Sequence, residues 1–118
     1  MTPCELLICA EDAMVNSYSP YSGFSVGAAL ITAGGRVYKG CNIENSAFSP
    51  TICAERTAFF KAISEGENDF EAIAIVGKYK NGEYKHLCYP CGVCRQVMKE
   101  FCGGDFKIIL GDGKGEYE

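Results

Sequence analysis

Cysteines and one nearby acid are the residues of this sequence whose types and spacing could do chemistry. The fragment PCGVC places Cys91 and Cys94 three positions apart, after a proline and within the expected first turn of a helix. Two sulfurs at this spacing can hold one metal ion, and they can also form a redox dithiol. The fragment alone leaves both chemistries open, and Cys88 places a third sulfur nearby.

A second fragment, CAE, favours metal chemistry over redox chemistry. Cys53 stands 38 positions before Cys91, Glu55 follows Cys53 by two positions, and each fragment begins an expected helix. Helix N-termini carry partial positive charge and N–H groups that suit thiolates. Three thiolates leave one position of a tetrahedral zinc ion for water, which is typical of catalytic zinc. Glu55 can then carry protons between that water and a substrate, a combination that marks zinc-dependent deaminases.

Two arginines follow the signature residues and could offset negative charge. Arg56 comes directly after Glu55, and Arg95 comes directly after Cys94. Three thiolates around Zn²⁺ leave one net negative charge, and a hydroxide adds a second. We expect Arg56 to balance part of this charge, whereas Arg95 is more readily explained as an ordinary surface arginine.

Composition and charge disfavour several other classes of function. The chain has 118 residues and a net charge of −4 without a block of like charges, which argues against a nucleic-acid groove. The sequence lacks an apolar run near the ~20 residues of a membrane span and lacks the basic flank of a signal peptide. We therefore expect a cytoplasmic protein with one domain over residues 1–118, and neither a nucleic-acid nor a membrane partner.

The high cysteine content has two explanations along the chain. Eight cysteines in 118 residues would suggest disulfides in a secreted protein, but a reducing compartment is expected here. Clustered cysteines then hold metal, and isolated cysteines act as small packing or surface side chains. The isolated group comprises Cys4, Cys9, Cys41 and Cys102.

The periodicity of apolar residues predicts elements in the order α-β-β-α-β-α-β. Thr2 and Glu5 form a capping box before a helix whose apolar positions extend to Tyr18. Gly34 and Gly35 predict a hairpin turn. Further helices are expected at about 52–65 and 91–101, and strands at about 24–32, 36–41, 70–77 and 106–111. This order favours an α/β fold with a mixed sheet and helices on both faces.

The sequence as a whole resembles the cytidine deaminases of the small, homotetrameric type. Three motifs carry the resemblance in the family's order and spacing: FSVGAAL (24–30), GCNIENSAFSPTICAERTA (40–58) and PCGVCRQV (90–97). The resemblance implies a three-layer α/β/α sandwich with a mixed central sheet. It also implies a hydrolase with one Zn²⁺ per chain that deaminates cytidine and 2′-deoxycytidine in pyrimidine salvage. The implied partners are a small nucleoside and further copies of the chain in a homotetramer.

The resemblance also implies a zinc centre with a proton shuttle. The implied zinc ligands are Cys53, Cys91 and Cys94, and the implied shuttle is Glu55. Two features depart from the family pattern. Phe48 stands where a tyrosine that reaches a neighbour's ribose is usual, and the sequence ends at GDGKGEYE where the family continues into a segment that covers a neighbour's site. That segment is either absent or lies outside the given sequence, and we expect its absence to weaken substrate retention more than the zinc chemistry.

Substrate-binding roles follow from the resemblance at four more positions. Phe24 would stack against the pyrimidine, and the backbone around Ala54 would read the polar edge of the base. Asn42 and Glu44, in the NIEN motif, would hydrogen-bond the ribose hydroxyls. Side chains of these two types suit hydroxyl partners because one can donate and the other accepts.

Three other functions stay open on the sequence alone. A deaminase of a nucleoside antibiotic such as blasticidin S would share the zinc ligands, although the intact NIEN motif favours a ribose-bearing substrate. A non-catalytic, zinc-stabilised binding domain would close its metal site with a fourth sulfur, and Cys88 could supply it. An RNA- or DNA-editing deaminase would need a basic surface, which the acidic balance disfavours.

Overall fold

The computed structural model describes residues 2–47, 51–80, 83 and 92–111, and it arranges four strands in one mixed sheet. The helices are α1 (Pro3–Ala13), α2 (Ala54–Ser64) and α3 (Gly92–Phe101), with a 3₁₀ turn at Met14–Asn16. The strands are β1 (Phe24–Thr32), β2 (Val37–Cys41), β3 (Phe70–Tyr79) and β4 (Lys107–Leu110). Their order across the sheet is β2-β1-β3-β4, in which β3 and β4 are parallel and the other two pairs antiparallel.

The two faces of the sheet carry separate cores because side chains alternate along each strand. One face packs Leu30 and Ile73 against α2 and α3, around the buried ring of Phe59. The opposite face packs Ala29 against Leu7 and its neighbours on α1. The predicted three-layer α/β/α sandwich with a mixed central sheet is confirmed.

The first helix begins as predicted but ends earlier. The Thr2 hydroxyl accepts from the Glu5 backbone N–H at 3.1 Å, and the Glu5 carboxylate accepts from the Thr2 backbone N–H at 2.9 Å. Tyr18 was expected on the helical apolar face, and this expectation is wrong. Its backbone N–H donates to the Asn42 carbonyl at 3.1 Å, and its own carbonyl accepts from the Glu44 N–H at 2.8 Å. This pairing draws Tyr18 out of the helix and leaves its side chain exposed.

Helix α2 begins at Ala54, two residues later than predicted. Ile52 and Ile43 exchange two backbone hydrogen bonds of 2.9 Å, so the chain stays extended up to Cys53. Cys53 therefore becomes the N-cap residue, with φ −78° and ψ 154°. Gly66, at φ +96°, follows the helix as the predicted stop, because a residue with a β-carbon rarely adopts that conformation.

Two glycines allow helices to lie directly against the sheet. A β-carbon on Gly27 would lie 1.9 Å from the carbonyl oxygen of Ala10 on α1. A β-carbon on Gly40 would lie 2.5 Å from the Ala54 carbonyl oxygen and 2.6 Å from the Ala58 nitrogen on α2. Neither position has room for a side chain, so the glycines set the distance from each helix to its strand.

The remaining strand and helix limits lie within two residues of the predicted ones. Arg95 is exposed on α3, as predicted. Phe48, Cys88 and Cys91 lie outside the described residues. Along the part of the chain that is described, no helix combines the length and apolar character needed to cross a membrane.

Candidate active site

Cysteine and glutamate side chains meet where α2 and α3 begin. Cys53 caps α2, Glu55 lies in its first turn, and Cys94 lies in the first turn of α3. Cys94 is 1% exposed and Glu55 is 4% exposed, and the two side chains are joined by a hydrogen bond. The structure therefore brings together three of the side chains that the sequence assigns to the zinc centre, at the two helix ends that were predicted.

Arg56 directs its guanidinium at the sulfurs. Its Nη2 donates to Cys53 Sγ over 3.4 Å. Hydrogen bonds to Cys53 and Cys94 raise the pKa of Arg56, while burial opposes this rise. Its Nε is buried and has no hydrogen-bond partner among the described residues. The positive charge of Arg56 thus lies within hydrogen-bonding distance of the sulfurs.

Burial dominates the electrostatics of Glu55. It raises the pKa of the carboxyl to about 6, and the negative charge of Cys53 acts in the same direction. A hydrogen bond to the backbone of Glu55 and one from Cys94 partly oppose the rise. A carboxyl with a pKa near neutrality can both take and return a proton at physiological pH.

The donor set around Cys53 and Cys94 fits zinc. Thiolate sulfur is a preferred zinc ligand, and the helix N-termini with the Arg56 guanidinium offset the charge of two thiolates. Within residues 2–47, 51–80, 83 and 92–111, no three His, Cys, Asp or Glu side chains form a group that could hold a metal ion. The third predicted sulfur, that of Cys91, lies outside the described residues.

Asn42 uses its amide to fix the start of β1. Its Oδ1 accepts from the Val26 backbone N–H at 2.9 Å and also from the Ser17 hydroxyl. Its Nδ2 donates to the Phe24 carbonyl oxygen at 2.9 Å. Both acceptor sites of Oδ1 are thus occupied, and among the contacts of the described residues one N–H of the amide remains to donate to a ligand.

Glu44 is held as an ionised acceptor. One carboxylate oxygen accepts from the backbone N–H groups of Tyr21 at 3.0 Å and Ser22 at 3.1 Å, and the other accepts from the Ser22 hydroxyl. The Ser22 hydroxyl and the two backbone donors lower the pKa of Glu44. The carboxylate lines a cavity of about 450 Å³ whose other walls are polar residues of the two adjoining loops.

Phe24 of β1 and Ala54 of α2 take part in the same core cluster as Cys53 and Cys94. Phe24 packs against the same core cluster as Cys53, with its ring centroid 4.8 Å from that of Tyr79. Ala54 is fully buried, and its carbonyl oxygen faces Gly40 of β2. Ala54 thus begins α2 directly after Cys53, and Phe24 borders the core beneath that helix.

Two supporting residues were missed by sequence reasoning. Tyr79 contacts Phe24 only because of the register between β1 and β3, which no local pattern reveals. The Thr57 hydroxyl lies 3.0 Å from the Cys41 carbonyl oxygen and 3.2 Å from the Cys53 carbonyl oxygen. It thereby links the end of β2 to the first turn of α2.

The isolated cysteines have the environments predicted for them. Cys4 is exposed, Cys9 and Cys102 are partly buried, and Cys41 is buried. Burial raises the pKa of Cys102 to about 11 and also raises the pKa of Cys41. Cys41 and Cys102 therefore behave as packing side chains rather than as reactive groups, and Cys4 is a surface side chain.

Comparison with known proteins identifies the family. The family model described as "Cytidine and deoxycytidylate deaminase zinc-binding region" matches residues 2–110. A cytidine deaminase from Sporosarcina psychrophila is 48% identical over 114 residues, which cover 97% of this chain and 80% of that relative. The crystal structure of a cytidine deaminase from Burkholderia pseudomallei has a TM-score of 0.88 at 41% identity and covers 100% of this chain and 91% of that one.

A relative named for a different substrate is more distant. A blasticidin-S deaminase from Bacillus cereus is 33% identical over 92 residues, which cover 75% of this chain and 66% of that relative. The fold, the cysteine and glutamate side chains at two helix ends, and the matches over nearly the whole chain agree. This chain belongs to the cytidine and deoxycytidylate deaminase family.

Proposed function

We propose that this chain is a zinc-dependent cytidine deaminase, which hydrolyses cytidine or 2′-deoxycytidine to uridine or 2′-deoxyuridine and releases ammonia. The observation that carries the proposal is the meeting of the Cys53 and Cys94 sulfurs with the Glu55 carboxyl and the Arg56 guanidinium. Membership of the family and the relatives named cytidine deaminase support the same activity.

Zinc would be held by the sulfurs of Cys53, Cys91 and Cys94. When bound, it supplies a strong nucleophile at neutral pH, because it lowers the pKa of a coordinated water towards 7. Arg56 donates to Cys53 Sγ at 3.4 Å and so withdraws negative charge from the thiolates. Weaker thiolate donors leave more positive charge on the metal, which favours ionisation of the water.

Glu55 would carry the protons of the reaction. It takes one proton from the attacking water and delivers it to N3 of the pyrimidine, then takes the second proton from the new hydroxyl on C4 and passes it to the amino group that leaves C4. One water is consumed and one ammonia is released, so Glu55 returns to its starting state after each turnover. Its 4% exposure keeps these protons from exchanging with bulk solvent during the transfer.

The sugar would be recognised by residues of opposite hydrogen-bonding character. Asn42 has one N–H to donate, and ionised Glu44 accepts. They flank Ile43, whose backbone is extended between two bridges, so both side chains project to the same side. A single ribose hydroxyl can accept from Asn42 and donate to Glu44, which favours a nucleoside with that hydroxyl exposed.

The base would be bound between the ring of Phe24 and the start of α2. Phe24 offers an aromatic ring at the edge of the core that Cys53 also borders, and the backbone around Ala54 would pair with the polar edge of the pyrimidine. A site whose polar groups must be paired rejects ligands that lack the matching edge.

We further propose that residues 1–118 act as one catalytic domain, in the cytoplasm and as a homotetramer, in pyrimidine salvage. The net charge of −4 suits a nucleoside substrate rather than a nucleic-acid partner. Exposed apolar side chains such as Ile8 and Val15 on one side of the molecule support self-association. Sedimentation at micromolar concentration is expected to show a species several times the 12.8 kDa chain mass, and a species of chain mass alone would contradict the assembly.

The direct test of activity is the fall in cytidine absorbance after the protein is added. We expect a chelator to abolish the fall and added zinc to restore it. Parallel assays measure the rate of deamination of blasticidin S, the rival substrate. We expect a faster rate on cytidine. A protein that binds zinc but deaminates neither compound would instead fit a non-catalytic zinc domain.

A further inference from the structure

Tyr79 faces Phe24 because of the register between β1 and β3. Phe24 is the first residue of β1, Tyr79 is the last residue of β3, and their Cα atoms are partners in the antiparallel ladder. Directly opposed residues of such a pair project from the same face of the sheet. This face carries the core beneath α2 and α3, against which both Phe24 and Cys53 are packed.

The two rings are in direct contact. Their centroids are 4.8 Å apart and their planes are inclined by 44°. This separation lies within the range in which aromatic pairs attract each other beyond simple burial. Tyr79 stays 45% exposed, so its ring is not a core side chain, and the ring that it contacts among the described residues is that of Phe24.

The backbone fixes both residues from different directions. The Tyr79 N–H donates to the Glu83 carbonyl oxygen at 2.7 Å, which closes the end of β3. The Phe24 carbonyl oxygen accepts from the Asn42 amide at 2.9 Å. Tyr79 of β3 thus supports the ring of Phe24, and Asn42 in the loop after β2 holds its main chain. This support reduces the conformational freedom of Phe24 that substrate binding would otherwise have to remove.

We propose that Tyr79 is a positioning residue that holds the Phe24 ring in the orientation needed to stack on the substrate base. This role rests on the proposed function, because it supports the ring that would contact the pyrimidine. Tyr79 then strengthens binding of the base and leaves the proton transfers by Glu55 unchanged. The aromatic ring provides the support, and the hydroxyl is not required.

Steady-state kinetics of three variants test this role. Tyr79→Ala is expected to raise KM for cytidine about two- to tenfold, the range that follows from losing one aromatic pair. We expect kcat to stay within about twofold of wild type because the chemistry is untouched. Tyr79→Phe should restore the wild-type KM. The control Phe60→Ala removes a ring that is 44% exposed and belongs to no ring pair among the described residues, and it should leave KM unchanged.

Two further readouts separate positioning from general destabilisation. The rise in KM should be equal for cytidine and 2′-deoxycytidine, because the sugar is bound by other residues. Calorimetry on the zinc-loaded protein should show the same fold-loss in uridine affinity for Tyr79→Ala and for Tyr79→Leu. The leucine variant keeps apolar bulk and so keeps the test decisive if the alanine variant folds poorly.

Several kinetic results would contradict the positioning role of Tyr79. A wild-type KM in both Tyr79→Ala and Tyr79→Leu would overturn it, as would an equal rise in KM for Tyr79→Phe or for Phe60→Ala. A fall in kcat and zinc content at constant KM would show a structural role instead. A zinc-loaded wild-type protein that leaves cytidine unchanged would reject the proposed function itself, which is a different outcome from any of these.

Discussion

The Asn42 side-chain amide donates to the Phe24 carbonyl oxygen at 2.9 Å and so couples the loop proposed to bind the sugar to the residue proposed to bind the base. The same amide accepts from the Val26 N–H at 2.9 Å. Asn42 is only 9% exposed, so these bonds are made in a poorly hydrated environment. The two halves of the substrate site are therefore held in a fixed relation before any ligand binds.

Replacing Asn42 with alanine is expected to reduce stability as well as substrate binding. The change leaves the Phe24 carbonyl and the Val26 N–H without their partner, at about 1–3 kcal/mol for each buried group. We expect urea denaturation to show a loss of about 2 kcal/mol or more in the free energy of unfolding. Asn45→Ala is the control, because the Asn45 side chain accepts from Ala47 in an exposed loop. Equal stability of the two variants would contradict the structural role of Asn42.

Gly40→Ala is expected to displace the start of α2. The new methyl group would meet the Ala54 carbonyl oxygen at 2.5 Å and the Ala58 nitrogen at 2.6 Å, and backbone atoms cannot rotate away. Overpacking of this kind costs about 1–3 kcal/mol. Because Cys53 and Glu55 move with the helix, the variant should also retain less zinc during dialysis.

Gly104→Ala provides the matched control for Gly40→Ala. Apart from its own chain neighbours, no described residue would place a heavy atom within 4 Å of a β-carbon at Gly104. We expect its melting temperature and zinc content to match wild type. If Gly40→Ala also matched wild type, the close approach of β2 and α2 would not matter for the site.

Thr57 is expected to anchor the zinc-binding end of α2. Its hydroxyl contacts the carbonyl oxygens of Cys41 and Cys53 at 3.0 and 3.2 Å. Thr57→Val keeps the shape but loses this bond, so we expect about 1 kcal/mol less stability and faster transfer of zinc to a chelator. Thr57→Ser retains the hydroxyl and should lose zinc at a rate close to wild type. Equal rates for the valine and serine variants would remove Thr57 from this role.

The sequence predicts which segments begin the two helices of the site, but it does not predict the exact first residue of α2. The fragments around Cys53, Glu55 and Cys94 locate two helix N-termini, because cap positions and apolar periodicity are local properties. The two residues by which α2 starts late depend on the pairing of Ile52 with Ile43, which local patterns cannot reveal.

Long-range contacts account for what the sequence does not predict. The Asn42 bonds to Phe24 and Val26 span 18 and 16 residues, and the ring pair of Phe24 with Tyr79 depends on strand register. Tyr18 keeps a helical spacing yet pairs with the loop after β2, because backbone groups there need partners. These features depend on tertiary contacts, which cannot be predicted from the residue types alone.

Alkylation of the cysteines is expected to identify the zinc ligands individually. In the zinc-loaded protein at pH 8, iodoacetamide should label exposed Cys4 first. Cys102 should react slowly with or without metal, because burial raises its pKa to about 11 and keeps it a thiol at this pH.

Chelation is expected to add three cysteines to the labelled set. These are Cys53, Cys91 and Cys94, whose sulfurs would be released when the metal leaves. Mass spectrometry of the digested protein measures each site separately. Protection of a fourth cysteine by zinc, such as Cys88, would indicate a closed metal site and contradict the open position that catalysis needs.

The central claim is that Glu55 moves protons beside a zinc ion held by cysteines, and Glu55→Gln tests it most directly. Glutamine nearly matches the shape of this buried side chain but cannot take up a proton. We expect zinc to stay near one ion per chain while kcat for cytidine falls about 10²- to 10⁴-fold, the usual contribution of a general acid–base group. A zinc-loaded Glu55→Gln protein that turns over cytidine at the wild-type rate would contradict the account.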